Sequence, residues 1–421
     1  MDIPRTRHDL SHMSFQCGQI GRLQTLSVIP CLPGDGAEFD VVGAIRMSPL
    51  RRGMAVDSVV DILTFYVPHR HVYSNWMDFI QQGWDESQTL DTQSVGLGVT
   101  SLGCGDVNVG TVPAFYPVGY QQIWNNYFRP PTTIAERSDL ISAWSDGDRR
   151  FGYRCAHLKN MWTTVMAQGI AAADYNVPVV GGNVSLLDLV AQRGYLRTEQ
   201  ERAWFDQRYR DLISSFGGHT TIDADNRPQL LMRSTLWASG YDVDGTSEVS
   251  LGQFAGRVVQ SFRHRVPRFF CGEHGALWTV CLVRFPVIHE QENPWFVNNA
   301  NPTYAEFAGD PEIFATQPPY GLAFEDIFSD SADATIRGYI PFGQWYRYSP
   351  NLVHANFDNL NGFPFLSDFP SSTTDMVLVD SSDYDDIYQT TQLGHYQVHC
   401  RVNAPFMRRL PPASSSLKAG G

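Results

Sequence analysis

Four arginines close together are the side chains of this chain best suited to bind an anionic partner. They are Arg257, Arg263, Arg265 and Arg268, and the first acidic residue after them is Glu273. A guanidinium group is planar and makes paired hydrogen bonds to phosphate and carboxylate groups. The cluster therefore predicts either contacts to a nucleic acid or salt bridges to a neighbouring subunit.

Two further arginines occupy a sharp corner of the chain. Arg51 and Arg52 lie in the connector SPLRRG, residues 48–53, between two predicted strands. Proline and glycine at the two ends of such a connector let the chain leave one strand and enter the next. We expect these two arginines to face a packaged nucleic acid or to line a seam between subunits.

A short acidic run is the candidate metal site. Asp380, Asp383, Asp385 and Asp386 lie close together near the carboxyl end. Carboxylate oxygens are the ligands that calcium prefers, so Asp383, Asp385 and Asp386 are candidate ligands of a weakly held calcium ion. A solvated acidic loop is the alternative interpretation.

The sequence has no recognisable catalytic constellation. It contains no G-x-S-x-G, H-E-x-x-H or C-x-x-C pattern, and these patterns mark common hydrolase, metalloprotease and redox or metal sites. His69 and His71 offer two imidazoles without an evident third ligand. We therefore assign no catalytic residue, expect no enzyme, and expect no cofactor apart from the candidate calcium ion.

Composition favours protein–protein contacts. The 421 residues carry a formal net charge of −13, and all but Lys159 and Lys418 of the 31 basic residues are arginine. An acidic chain is unlike a dedicated nucleic-acid-binding domain, whereas arginine suits polar interfaces. The seven cysteines are an odd number with no close pair, which predicts free thiols in a reducing cytosol. No apolar run is long enough to cross a membrane, and the first residues do not resemble a secretory signal.

Hydrophobic alternation predicts an all-β fold with large insertions. Strands are predicted in 18–32, 40–73, 252–286 and 395–402, and the 35 glycines and 25 prolines supply many turns. Apolar residues on both faces of 62–67 and of 277–285 predict a sheet that is covered on each side.

This distribution predicts one β-sandwich domain over 1–421. Its other expected parts are an N-terminal arm (1–16), a large insertion with helices (72–250), a second loop-rich insertion (287–375) and a flexible tail (411–421).

Long segments closely resemble the major capsid proteins, the F proteins, of phiX-like Microviridae bacteriophages. The resemblance covers most of the chain in the same order, and its segments include HDLSH (8–12), GQIGRL (18–23), VGAIRMSPLRRGMAVDSVVDI (42–62), FYVPHRHVY (65–73), LWASGYDVDGT (236–246), SLGQFAGRV (250–258), VPRFF (266–270) and GQWYRY (343–348). It implies an eight-stranded antiparallel jelly roll. It also implies a T=1 icosahedral shell assembled through pentamers, with the connection between the fifth and sixth strands, near 72–250, on the outer surface.

The resemblance also implies a set of partners. These are further copies of the chain, a spike protein, a pilot protein, internal and external scaffolding proteins, a small basic DNA-binding protein, circular single-stranded DNA and host lipopolysaccharide. It places the protein in the virion after assembly in the bacterial cytoplasm, without membrane insertion.

A carbohydrate-binding or glycoside-cleaving β-sandwich is the alternative function. Jelly rolls also form lectins, and exposed aromatic residues in loops suit sugar rings. A glycosidase would require two carboxylates about 5–10 Å apart in one cleft.

Overall fold

The computed structural model describes the strand-rich parts of the chain. The residues described are 5–50, 56–73, 76–82, 92–94, 111–113, 115–129, 227–239, 241–242, 256–286, 288–289, 292–299, 301–317, 320–329, 331–352, 365–366, 381–388 and 390–410. Arg51, Arg52, the tail 411–421 and most of 72–250 lie outside them.

Strands dominate the described residues. They are β1 Thr6–Asp9, β2 His12–Gly18, β3 Leu23–Cys31, β4 Gly36–Met47, β5 Ser58–Pro68, β6 Thr92–Ser94, β7 Thr111–Pro113, β8 Gln229–Ala238, β9 Tyr241–Asp242, β10 Gly256–Arg257, β11 Val259–Phe270, β12 Gly275–Arg284, β13 Ile288–His289, β14 Tyr320–Leu322, β15 Gly338–Ile340, β16 Phe365–Leu366, β17 Tyr396–Asn403 and β18 Pro405–Arg408. The α-helices are α1 Trp76–Gln82, α2 Phe115–Tyr127, α3 Trp295–Asn298, α4 Tyr304–Phe307, α5 Pro311–Thr316 and α6 Phe324–Ile327, and 3₁₀ turns span His69–His71, Gln344–Tyr346 and Ser381–Ile387.

The first large sheet contains six strands in four positions, because β1 and β2 together occupy one position and β17 and β18 together occupy the next. Its order is β1-β18-β4-β17-β2, with β11 on the other edge of β4. β1 pairs with β18 and β2 pairs with β17, all antiparallel, so β1 and β2 form one row that is interrupted at Leu10 and Ser11. The hydroxyl of Ser11 accepts the N–H of Ala404 at 3.0 Å, at the matching interruption between β17 and β18.

The second large sheet has four antiparallel strands in the order β3-β12-β5-β8. All residues of β5 are buried. Its residues Ile62 and Tyr66 pack toward the first sheet, whereas Leu63 and Phe65 pack on the opposite side with α2. The prediction that this sheet is covered on both faces is therefore confirmed.

The main core lies between the two sheets. β4 contributes Phe39, Val41 and Ile45, and β17 contributes Val398 and Val402. β4 also alternates, with Met47 buried and Arg46 exposed, because a strand in a sheet with one solvated face turns every second side chain inward.

Two facing antiparallel sheets in this order form a jelly roll, which confirms the predicted all-β fold class. The predicted number of eight strands stays a prediction, since the interruptions at Ser11 and Ala404 divide two of the rows.

Two predicted segment boundaries need correction. The expected arm 1–16 contributes β1 and most of β2 to the edge of the first sheet. Polar residues such as Gln16 face inward there, where its amide N–H donates to the side-chain oxygen of Gln24 at 2.8 Å, so the strand lacks apolar alternation. The predicted insertion 72–250 contains β8, which pairs with β5 over Ser58–Tyr66. The connection between these two paired strands is therefore 69–228.

The second predicted insertion, 287–375, contains a small core of its own. Trp295 and Trp345 stack with ring centroids 4.3 Å apart, and Phe324, Ile327 and Phe328 are buried around them. Within the described part of the chain, no helix is long and apolar enough to cross a membrane.

Candidate nucleic-acid and subunit interface

On the solvated side of the first sheet, Arg263 and Arg265 of β11 pair with acidic residues. We call this side the exposed face, and define it by the outward residues of β2, β17, β4 and β11. Because directly opposed residues of paired strands share a face, the register sets the arrangement. Met13 lies opposite Arg401, Arg401 opposite Val42, and Val42 opposite Arg263.

Arg263 and Arg265 each form an ion pair with β4. Arg263 Nη2 lies 2.6 Å from Asp40 Oδ2, and Arg265 Nη2 lies 2.7 Å from Glu38 Oε1. Each pair is diagonal, since the residues directly opposite these arginines are Val42 and Asp40. The hydrogen bond to Asp40 and its charge raise the pKa of Arg263. The sequence interpretation that no acid offsets these arginines is wrong, because the acids lie on the neighbouring strand.

The other candidate arginines are less defined. Arg268 is exposed at the end of β11, and Arg257 forms part of β10 with a side chain outside the described atoms. Arg51 and Arg52 lie outside the described residues. Their assignment to DNA or to subunit seams stays a prediction.

The calcium candidates lie in the 3₁₀ turn Ser381–Ile387. Asp385 Oδ1 lies 2.6 Å from Nε2 of His395, which is buried. The other ring nitrogen, Nδ1, accepts the N–H of Ile20 at 3.2 Å, so Nε2 carries the proton that Asp385 accepts. Burial lowers the pKa of His395, and the hydrogen bond to Asp385 opposes that shift.

This contact gives Asp385 a structural partner. The side chains of Asp383 and Asp386 lie outside the described atoms. Among the side chains that the structure does describe, no group of three or more His, Cys, Asp or Glu residues is placed to hold a metal ion. His395 precedes β17 and is buried.

Asp61 is a charged centre that sequence patterns did not indicate. Its side chain is only 3% exposed, and its oxygens lie 3.0 Å from Arg233 Nη2 and 3.0 Å from Arg284 Nε. Thr235 also donates its hydroxyl to Asp61 at 2.5 Å. Burial would raise the pKa of Asp61, but the hydrogen bonds from Thr235, Arg284 and Arg233 together lower it. The site holds β5, β8 and β12 together and has no open reactive group.

Fold and surface together define a class of protein. The two sheets form a jelly roll, an architecture that viral capsid proteins use, and the charged groups described here make contacts within and between strands. The chain therefore falls in the class of jelly-roll structural proteins.

Comparison with known proteins identifies the family. The family model described as "Capsid protein (F protein)" matches residues 1–185 and 180–417. The chain is 44% identical over 422 residues to capsid protein F of Escherichia phage G4, covering 98% of this chain and 97% of that protein. It is 43% identical to capsid protein F of Enterobacteria phage phiK, covering 97% of this chain and 96% of that protein. It is 42% identical to capsid protein F of Escherichia phage alpha3, again covering 97% and 96%. The chain belongs to the capsid protein F family.

Family membership decides three predictions. It confirms the resemblance to the phiX-like Microviridae capsid proteins and the expectation of a structural protein in place of an enzyme. It places the protein in the virion as a capsid component. The match over nearly the whole chain is to capsid proteins, so it gives no support to the alternative of a carbohydrate-binding or glycoside-cleaving β-sandwich protein.

Proposed function

We propose that this chain assembles with copies of itself, through pentamers, into a T=1 icosahedral shell that encloses a circular single-stranded DNA genome. Assembly takes place in the bacterial cytoplasm. The observation that carries the proposal is the 44% identity to a phage capsid protein F over 98% of the chain. The jelly roll supplies a rigid unit whose solvated surfaces are available for such contacts.

The connection between β5 and β8 is the proposed outer surface. Residues 69–228 separate two strands that are direct neighbours in the sheet, so a large part of the chain leaves the sheet and returns to it. Long connections of this kind commonly carry binding functions. We propose that it carries the spike protein and contacts host lipopolysaccharide.

The remaining proposed partners follow from charge and from assembly. A chain of net charge −13 supplies little of the neutralisation that a packaged genome requires. A small basic DNA-binding protein is therefore a proposed partner, together with internal and external scaffolding proteins and a pilot protein. Calcium at Asp383, Asp385 and Asp386 is a proposed accessory ion.

Co-expression of the shell genes tests the proposal. We expect sedimentation to detect pentamers and negative-stain microscopy to detect closed particles with DNA inside. Replacing Arg263 and Arg265 together by alanine should preserve pentamers and reduce DNA per particle, since phosphates would lose two cationic contacts. A protein that stays monomeric with all partners present would contradict the proposal, and an unchanged DNA content in the double variant would remove those arginines from DNA binding.

A further inference from the structure

An exposed aromatic pair lies on the exposed face of the first sheet. Phe15 of β2 is directly opposite His399 of β17. Their rings stack with centroids 4.4 Å apart and planes 15° apart. Because Phe15 is nevertheless 69% exposed, the face of its ring away from His399 is open to solvent. That open ring face is available for stacking with another planar group.

Two arginines flank this pair. Arg401 lies two residues beyond His399 on the same face of β17, and Arg46 lies two residues beyond Ala44, which is opposite His399. A strand rises about 3.3 Å per residue, so each arginine begins about 7 Å along its strand from the aromatic row. Both arginine side chains are exposed.

The two arginines differ from those of β11, whose charges are offset by acidic partners. Within the described residues, neither Arg46 nor Arg401 forms an ion pair or hydrogen bond, whereas Arg263 and Arg265 are paired with Asp40 and Glu38. Asp9 is near enough to Arg401 to feel its charge, but its carboxylate accepts both the N–H and the hydroxyl of Ser11. The surface around the aromatic pair is therefore locally cationic on an acidic protein.

An open aromatic ring between two available arginines matches the chemistry of single-stranded nucleic acids, which combine planar bases with a phosphate backbone. A contact with the same face of a second copy would leave these cations unmatched, because Asp40 and Glu38 of that face already have partners. Charge complementarity thus favours the nucleic acid.

We propose that Phe15 and His399 form a base-stacking platform for single-stranded DNA, with Arg46 and Arg401 holding the flanking phosphates. The proposal rests on the proposed function, and it places one genome contact on the exposed face of the first sheet.

Fluorescence anisotropy with purified pentamers tests the stacking. The probes are a labelled oligo-dT and an abasic oligonucleotide of the same length, which has the backbone without bases. Base–aromatic stacking contributes about 1–3 kcal/mol, so we expect Phe15→Leu to weaken oligo-dT binding at least about fivefold. Binding of the abasic strand should change much less. Phe15→Tyr, which keeps an aromatic ring, should retain the wild-type affinity for oligo-dT.

Met13→Leu is the matched control, because Met13 is exposed on the same strand and the same face. It should leave both affinities within about twofold of the wild type. Equal effects of Phe15→Leu and Met13→Leu, or equal losses for the two probes, would overturn the stacking role.

Salt dependence tests the arginines. Each phosphate contact contributes about 0.7 to the slope of log affinity against log salt concentration for single strands. Arg401→Gln and Arg46→Gln should each reduce that slope by about this amount for both probes, whereas Arg263→Gln should reduce it less because Asp40 competes for that arginine. Slopes unchanged in Arg401→Gln and Arg46→Gln would overturn the phosphate role.

Sedimentation of the same variants separates this proposal from the proposed function. Phe15→Leu pentamers with weakened DNA binding support the platform. Loss of pentamers in Phe15→Leu and in Phe15→Tyr, with DNA affinity intact in the remaining protein, would identify the face as a contact between copies and overturn the platform. Failure of the wild type to assemble would contradict the proposed function alone, because the same comparison of Phe15→Leu with Met13→Leu on the unassembled protein would still test the platform.

Discussion

Asp61 and Asp40 show how burial changes the effect of similar ion pairs. Asp61 is enclosed in the sheet and accepts hydrogen bonds from three side chains. Asp40 pairs with an arginine whose side chain is 66% exposed. Water and salt screen the exposed pair, so it contributes little to stability, whereas a buried acceptor that loses its partners keeps its desolvation cost.

Replacing Asp61 by asparagine should lower the free energy of unfolding by about 2 kcal/mol or more, because hydrogen bonds to a charged acceptor are among the stronger ones. Urea unfolding followed by tryptophan fluorescence measures the difference. Asp40→Asn is the matched control and should leave the midpoint near that of the wild type. Similar midpoints for both variants would show that the buried site has no special importance.

At the level of strands, one histidine joins the two sheets across the core. His264 of β11 is fully buried. Its Nε2 lies 3.0 Å from the hydroxyl of Thr64 on β5, and its Nδ1 lies 2.8 Å from the hydroxyl of Ser234 on β8. Burial lowers the pKa of His264 to about 4, with a small opposing effect of Asp40. The folded protein therefore keeps this imidazole neutral.

This histidine should make stability depend on pH. Between about pH 6.5 and pH 4 the unfolded chain binds a proton at this position and the folded chain does not, so stability falls as the pH is lowered, by roughly 3 kcal/mol over the full window. Urea unfolding at pH 7.5, 6, 5 and 4.5 should show a smaller decrease for His264→Gln than for the wild type. Thr64→Val removes a hydrogen bond without removing a titrating group, so it should lower stability and keep the wild-type slope. Identical slopes in the wild type and His264→Gln would contradict this role.

Period-two alternation predicted the central strands well and the edge strands poorly. In β12 it placed Leu277 and Cys281 on one face and Trp278 and Val280 on the other, and these residues lie in the two different cores. A strand that is buried on both sides must present apolar residues on both faces. In β3 strict alternation fails, because a bulge at Leu26, opposite Thr279 and Val280, moves the following residues to the other face.

Pairing partners were harder to predict than strands. Asp40 and Arg263 are 223 residues apart in sequence and adjacent on the sheet. No local pattern connects them, so the arginines of β11 looked uncompensated. The exposed pair Phe15 and His399 was missed for the same reason, since each lies in a polar segment and the stack exists only through the β2–β17 register.

At the scale of the whole molecule, the net charge of −13 bears on which partner the proposed shell would need. Copies of an acidic chain arranged around an anionic genome add to the electrostatic cost of packaging. Local arginines reduce this cost without reversing it. In the proposed shell, we therefore expect the genome to receive most of its counter-charge from another component.

Omitting the proposed small basic protein from the co-expressed shell genes should give particles with less DNA than the complete set gives. The reason is that small cations condensed on the DNA are released when a polycationic protein binds to it, and this release favours packaging. DNA extracted per particle and the ratio of absorbance at 260 and 280 nm measure the effect, with the basic protein restored from a second plasmid as the control. Equal DNA content in both preparations would contradict the charge argument.

The position of β17 bears on when this protein can fold. Tyr396–Asn403 is inserted between β2 and β4, two strands from the first part of the chain. The ribosome must therefore synthesise the chain as far as Asn403 before the gap in the first sheet can be filled. We expect the nascent chain to keep that gap open until β17 has been synthesised, so protection of the incomplete sheet by other proteins would be part of how this subunit matures.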